Sequence, residues 1–335
     1  MNLVIASAAT KQSSGVVVVL KYDKAKALDC FATFAMTVRR NCQVVPYAAQ
    51  LSFPDSLRAP MYATAAHTPS QKAVTVPTLR RMKHEGPPIV ALTGYDASFG
   101  HVLDAAGVDV VLVGDSLGMV VQGHSTTLPV TVDHLVYHCA AVRRGLSHAL
   151  LMADMPFLSY ATPEQALQTA KRLLVDAGAA MVKLEGGQEC VLEVIRFLTE
   201  REVPVCAHLG LTPQSVLRMG GFRVQGREQA AQQKMLEQAH AVVAAGAEAL
   251  VLECVPATLA GEITRAIDIP TIGIGAGVEC DGQILVSYDL LGITPGKRVR
   301  FTKDFLVETG SVHGAIERYA ADVRARRFPA PEHSF

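Results

Sequence analysis

Asp176-Ala177-Gly178-Ala179-Ala180-Met181-Val182-Lys183-Leu184-Glu185 contains, in one short stretch, the unit from which most of the chain is built. A helix closes at Gly178, because glycine adopts the left-handed conformation that ends a helix without a Cβ clash. A largely apolar run, Ala180–Leu184, follows at once and has the length of a strand. Lys183 and Glu185 are two residues apart, so their side chains leave that strand on one face. The same helix exit recurs at Ala105-Ala106-Gly107-Val108-Asp109 and at Ala244-Ala245-Gly246-Ala247-Glu248.

Working outward, strand-like runs fall at Ile89–Thr93, Val108–Val113, Ala149–Ala153, Ala180–Leu184, Val203–Ala207, Ala249–Leu252, Thr271–Ile274 and Gln283–Val286. Most are continuous rather than alternating, the pattern of parallel strands covered on both faces. Helical patterns separate them. One is Pro163–Ala177, with Thr162 as N-cap, Pro163 at the first position and Gly178 beyond the end. Val191–Glu200 and Gln229–Ala245 are two more. Eight such units in about 220 residues predict an α/β fold of the TIM (β/α)8-barrel type over residues 76–335, in preference to a doubly wound open sheet. Val312–Arg324 is expected to pack outside the barrel, and Arg326–Phe335 to be irregular.

Residues 1–75 read differently. They are rich in Ala, Ser, Thr and Val, poor in acids and without a sustained period, so they are set apart as a leader. Lys21, Lys24, Lys26, Arg39 and Arg40 suit an organellar transit peptide, whereas Asp23 and Asp29 do not. That favours translated upstream sequence, with the folded protein starting at Met61 and acting in the cytoplasm; an organelle is the alternative. Over the whole chain 31 basic residues balance 31 acidic ones, and there is no tryptophan. Neither a field nor a stacking platform for nucleic acid is present. No apolar run approaches the ~18 residues of a membrane span. The seven cysteines contain no CxxC pair and are odd in number, which argues against a disulfide framework and for a reducing compartment.

In barrel enzymes the chemistry sits where strands run out into their loops. Asp115 follows the second run, Asp154 the third and Glu185 the fourth; His208 ends the fifth and Glu253 the sixth. Three carboxylates on consecutive strands would repel one another without a counter-charge. An oxygen-only set suits Mg²⁺, with Mn²⁺ or Co²⁺ as alternatives. Lys183, kept protonated by these acids, is a candidate for binding a substrate oxyanion rather than for Schiff-base chemistry. Glu253, apart from the three, suits a general base. His208 reads equally as a satisfied barrel histidine or as a possible substrate-binding one. Gly273-Ile274-Gly275-Ala276-Gly277 is weak as a phosphate loop and better explained by close backbone approach.

Taken together, several motifs resemble the ketopantoate hydroxymethyltransferase family. They are Gly114-Asp115-Ser116-Leu117-Gly118-Met119, Gln122-Gly123-His124, Ala153-Asp154-Met155-Pro156-Phe157, Val182-Lys183-Leu184-Glu185-Gly186-Gly187, His208-Leu209-Gly210-Leu211-Thr212-Pro213-Gln214 and Leu252-Glu253-Cys254-Val255-Pro256. The likeness runs from about Pro77 to near the end of the chain. It implies transfer of a hydroxymethyl group from 5,10-methylenetetrahydrofolate to 3-methyl-2-oxobutanoate, giving 2-dehydropantoate for pantothenate synthesis. It also implies a Mg²⁺-dependent barrel assembled as a homodecamer. By resemblance Asp115 and Asp154 bind the metal directly and Glu185 through water. Ser116 and Lys183 hold the substrate, which the metal-bound Asp115 and Asp154 also face, and Glu253 moves the proton. Residues 295–301 depart from the family's usual form, which carries proline near the Arg300 position. A carbon–carbon lyase or phosphonate mutase would carry a catalytic cysteine loop that is not found here, and a noncatalytic scaffold would have lost acids that are all in place.

Overall fold

The structure, a computed structural model, describes residues 72–221, 223–296 and 298–335. The leader expectation therefore lies, up to residue 71, outside the described residues. Val74 and Thr75 belong to the folded unit rather than to a leader. Val74 is buried and donates its N–H to His148 O, and the Thr75 hydroxyl caps the helix Val76–Glu85 by accepting from Thr78 N.

Eight short strands follow in order: β1 (Ile89–Thr93), β2 (Val110–Val113), β3 (Leu150–Asp154), β4 (Met181–Glu185), β5 (Val205–Gly210), β6 (Ala249–Glu253), β7 (Thr271–Ile274) and β8 (Gly282–Leu285). Every pairing is parallel and sequential, and β1 pairs with β8 to close the barrel. A closed parallel sheet has no free edge and buries both faces, which is why the strand runs are almost uniformly apolar. Each fully buried Val, Ile or Leu contributes about 1.5–3 kcal/mol relative to exposure.

Local sequence explains the joints. Gly107, Gly178 and Gly246 all have positive φ (76°, 77° and 99°), so the three repeated helix exits turn as the repeat predicts. Thr162 accepts from Gln165 N at the head of Pro163–Lys171, which continues as a wider turn through Asp176 before Gly178. The helix Val312–Arg324 packs outside the barrel, and its Tyr319 hydroxyl donates to Ala91 O of β1.

Most strands begin or end one or two residues from the expected bounds, and the β7–β8 connection differs too. β2 starts at Val110, and Asp109 before it acts as a bracket: its carboxylate accepts from Val90 N and pairs with Arg324. β5 runs on to Gly210, so His208 lies within the strand rather than at its end. β7 and β8 are joined by residues 275–281 without a helix. That return segment lies against β7, where a Cβ on Gly273 would stand 2.9 Å from Cys280 Sγ. Beyond β7, Gly277 (φ 81°) is also closely packed: a Cβ there would stand 2.5 Å from Ala257 Cβ. Among the described residues, no helix is long and apolar enough to cross a membrane.

Candidate active site

A cavity of about 1590 Å³ opens at the carboxyl ends of the strands and is lined by Asp115, Ser116, Asp154, Lys183, Glu185, His208 and Glu253. All seven residues singled out in the sequence therefore meet in one place. The barrel register explains it. Asp154 is opposite Lys183, Glu185 opposite His208, and Gly210 opposite Glu253. Neighbouring strands present paired residues to the same side, so a carboxylate, an ammonium, a second carboxylate, an imidazole and a third carboxylate follow one another round the mouth.

Asp115 lies just beyond β2, where Gly114 brings the chain close to Asp154: a Cβ on Gly114 would stand 3.2 Å from Asp154 Oδ2. That approach lets Asp115 N donate to Asp154 Oδ2 at 2.8 Å. Lys183 Nζ is 2.8 Å from Asp154 Oδ1 and 3.2 Å from His208 Nδ1. The opposite nitrogen of the ring, His208 Nε2, is 3.4 Å from Glu253 Oε2. Ser116 Oγ shares a hydrogen bond of 2.9 Å with the Tyr95 hydroxyl. Glu253 is fixed through its backbone: its carbonyl accepts from Leu211 N at 2.8 Å, and a Cβ on Gly210 (φ 96°) would collide with that oxygen. Cys254, a non-glycine at φ 49°, turns the chain immediately afterwards, and strained conformations of this kind persist where the surroundings over-determine them.

The electrostatics follow from burial. Asp115 is pushed above the usual carboxylate range first by burial and then by Asp154, against the pull of Lys183 and the Gln214 hydrogen bond. Burial and Asp115 raise Glu185 well above that range too. Glu253 is raised by burial to about 8. Burial works against the Lys183 charge, but Asp154, Glu185 and Asp115 outweigh it and hold the ammonium protonated. Burial and Lys183 lower His208 well below the ordinary imidazole range, so its ring is neutral. Lys183 can only donate, so Nδ1 of the neutral ring accepts and the imidazole proton sits on Nε2, facing Glu253. His208 thus stands between the acidic cluster and Glu253, with Nε2 near Glu253 but in no hydrogen bond among the described residues.

Sequence reading missed Gln214 and Tyr160. Gln214 Nε2 donates to Asp115 Oδ2 (2.8 Å) and its backbone N to Glu185 Oε2 (3.0 Å), while the Tyr160 hydroxyl donates to Gln214 Oε1 (2.6 Å). Gln214 had been read only as part of a motif; no spacing rule links residues 115, 160, 185 and 214.

The family profile of ketopantoate hydroxymethyltransferase matches residues 73–331. The chain belongs to the ketopantoate hydroxymethyltransferase family. It is 57% identical over 262 residues to the 3-methyl-2-oxobutanoate hydroxymethyltransferase of Shewanella loihica, covering 78% of this chain and 98% of that one. With the enzyme of the same name from Stenotrophomonas maltophilia it shares 58% over 265 residues, covering 79% and 97%. Among solved structures, a putative lyase/mutase from Burkholderia cenocepacia is similar with a TM-score of 0.51 at 18% identity, covering 78% of this chain and 98% of that one. A putative phosphonomutase from the same organism is similar with a TM-score of 0.52 at 15% identity, covering 65% and 94%. At such identities the likeness is one of fold: the barrel is shared, and the hydroxymethyltransferase family is set by the sequence relatives.

Proposed function

We propose that this protein transfers a hydroxymethyl group from 5,10-methylenetetrahydrofolate to 3-methyl-2-oxobutanoate, forming 2-dehydropantoate for pantothenate synthesis. The observation that carries the reading is the meeting of Asp115, Asp154, Glu185 and Lys183 at one side of the mouth, with Glu253 beyond His208. The names of relatives 57–58% identical over nearly their whole length support it.

The donor set fits a hard divalent cation. Three buried carboxylates face one ammonium, so negative charge is in excess, and Asp154 Oδ1 makes no hydrogen bond of good geometry although Lys183 is near it. Among the described residues no three His, Cys, Asp or Glu side chains form a ready-made direct cluster. As the family resemblance implies, Asp115 and Asp154 would be direct ligands of Mg²⁺ (or Mn²⁺ or Co²⁺), with Glu185 one water removed. When bound, the cation would supply positive charge beside the keto oxygen, where negative charge builds up as the C3 proton leaves.

The chain's own residues do the rest. An ammonium has three N–H groups; Lys183 is ion-paired with Asp154 and hydrogen-bonded to His208 Nδ1, which leaves N–H for a substrate oxygen. Ser116 holds a second substrate oxygen, its hydroxyl oriented by Tyr95. Glu253 takes the C3 proton, and its raised pKa places it near working pH, where a general base is most effective. Water opens the methylene bridge of the folate, breaking both C–N bonds to release tetrahydrofolate and leave the one-carbon unit as formaldehyde. The carbanion adds to the formaldehyde carbon, and the formaldehyde oxygen takes a proton to become the product hydroxyl. The cavity is far larger than a small oxo acid requires, and its outer wall, with Arg223, Arg227 and Phe301, leaves room for the folate.

The test is incubation of the protein with both substrates and Mg²⁺. Formation of 2-dehydropantoate together with tetrahydrofolate is expected; no product while the protein binds both substrates would overturn the reading.

A further inference from the structure

Gln214 is 5% exposed in the turn after β5, and every polar group of its side chain is committed. Its Nε2 donates to Asp115 Oδ2 and, at 3.0 Å, to Met155 O. An amide has two chemically different ends of nearly the same shape, so something must decide which end faces Asp115. Tyr160 does so. Its hydroxyl oxygen accepts from Glu185 N at 3.3 Å, which directs its proton to Gln214 Oε1 at 2.6 Å. A one-way chain thus runs from the β4 backbone through Tyr160 and Gln214 to Asp115. With Oε1 occupied as an acceptor, only N–H remains to meet Asp115.

The consequence appears at the three carboxylates. Asp115 Oδ2 accepts from Gln214, Asp154 Oδ2 from Asp115 N, and Glu185 Oε2 from Gln214 N. One oxygen of each acid is therefore held, on β3, on β4 and just beyond β2. The other oxygen of each accepts no hydrogen bond from the described residues. Asp154 Oδ1 has only Lys183 beside it, and Glu185 Oε1 lies 3.7 Å from His208 Nδ1.

We propose that Gln214, with its amide set by Tyr160, is a positioning residue that fixes Asp115 and Glu185 so that each turns one free oxygen to a divalent cation at the barrel mouth. The inference rests on the metal reading given above and extends it to two residues outside the proposed ligand and substrate-binding set. Partners of this kind fix ligand orientation, and their loss typically costs about 10–100-fold in metal affinity.

The probe is Mn²⁺, titrated into metal-stripped protein with free Mn²⁺ read by electron paramagnetic resonance. Gln214→Leu should raise the Kd about 10–100-fold relative to wild type. Tyr160→Phe keeps the ring and removes only the orienting hydroxyl, so it should raise the Kd less. In the Gln214→Leu background it should add nothing, because Tyr160 acts through Gln214. If Gln214→Leu does not fold, Tyr160→Phe carries the test alone. A melting temperature lowered in the metal-free variants with Mn²⁺ affinity unchanged would show that the pair merely supports the fold, and would overturn the proposal. Wild-type protein that binds no Mn²⁺ would instead remove the metal reading itself, and the proposal with it.

Discussion

Replacing Glu253 by Gln isolates the proton transfer from the rest of the site. Glu253 is the last residue of β6, its side chain is 15% exposed, and Oε2 faces the protonated nitrogen of His208 at 3.4 Å. Glutamine has the same length, and its amide oxygen can still meet the His208 N–H, so the variant should fold and bind the oxo acid nearly as well. What it lacks is a basic oxygen. A positioned general base is worth about 10²–10⁴-fold in rate, or about 3–5 kcal/mol of barrel-mouth transition-state stabilisation. The assay needs no folate: 3-methyl-2-oxobutanoate and Mg²⁺ in D₂O, with loss of the C3 proton signal followed by NMR. Wild-type exchange should rise with pH as Glu253 ionises near pH 8, or at lower pH where a bound cation favours the carboxylate. Glu253→Gln should exchange about 10²–10⁴-fold more slowly, with no such rise. A variant exchanging at the wild-type rate would show that another group takes the proton.

Two further outcomes follow from the same geometry. Asp115, Glu185 and Glu253 all have raised pKa values, so the fold retains protons that the unfolded chain has released, and stability falls as pH rises. The neutral His208 acts in the opposite sense only below about 6.5, so EDTA-treated protein should lose melting temperature from about pH 6.5 to about pH 8, and Mg²⁺ should restore it; a metal-free melting temperature that rises across that window would contradict the burial argument. Arg223 and Arg227 line the cavity and are exposed. Alanine at both should raise the KM for a polyglutamylated folate several-fold, on the order of 1 kcal/mol or more, while C3 exchange stays at the wild-type rate; an unchanged folate KM would place the folate's anionic tail elsewhere.

Much of this site is legible in the chain because a parallel barrel maps sequence onto geometry. Each strand delivers its last residues to one rim, so Asp154, Glu185 and Glu253 at strand ends had to converge once eight units were counted. The repeated Ala-Gly exits were legible for the same local reason, a left-handed turn that only glycine adopts readily. Gln214 and Tyr160 were not legible as working residues. Gln214 reaches Asp115 across 99 positions of sequence and Tyr160 across 54, through loops whose paths no periodicity encodes. The role of His208 stayed open because one imidazole in one strand is ambiguous; burial and Lys183 on β4 make it neutral, with Nε2 turned toward Glu253 on β6. Strand ends were the least legible part: Asp109, read as a residue inside the second run, keeps its backbone bonds to both neighbouring strands but adds a carboxylate that accepts from Val90 N.

The central proposal is that the carboxylates of the barrel mouth hold a divalent cation for hydroxymethyl transfer. The most direct test is 2-dehydropantoate formation from 3-methyl-2-oxobutanoate and 5,10-methylenetetrahydrofolate by the full chain, measured before EDTA treatment, after it, and after Mg²⁺ is returned. The account predicts turnover that EDTA abolishes and Mg²⁺ restores. Turnover undiminished in metal-stripped protein would contradict it.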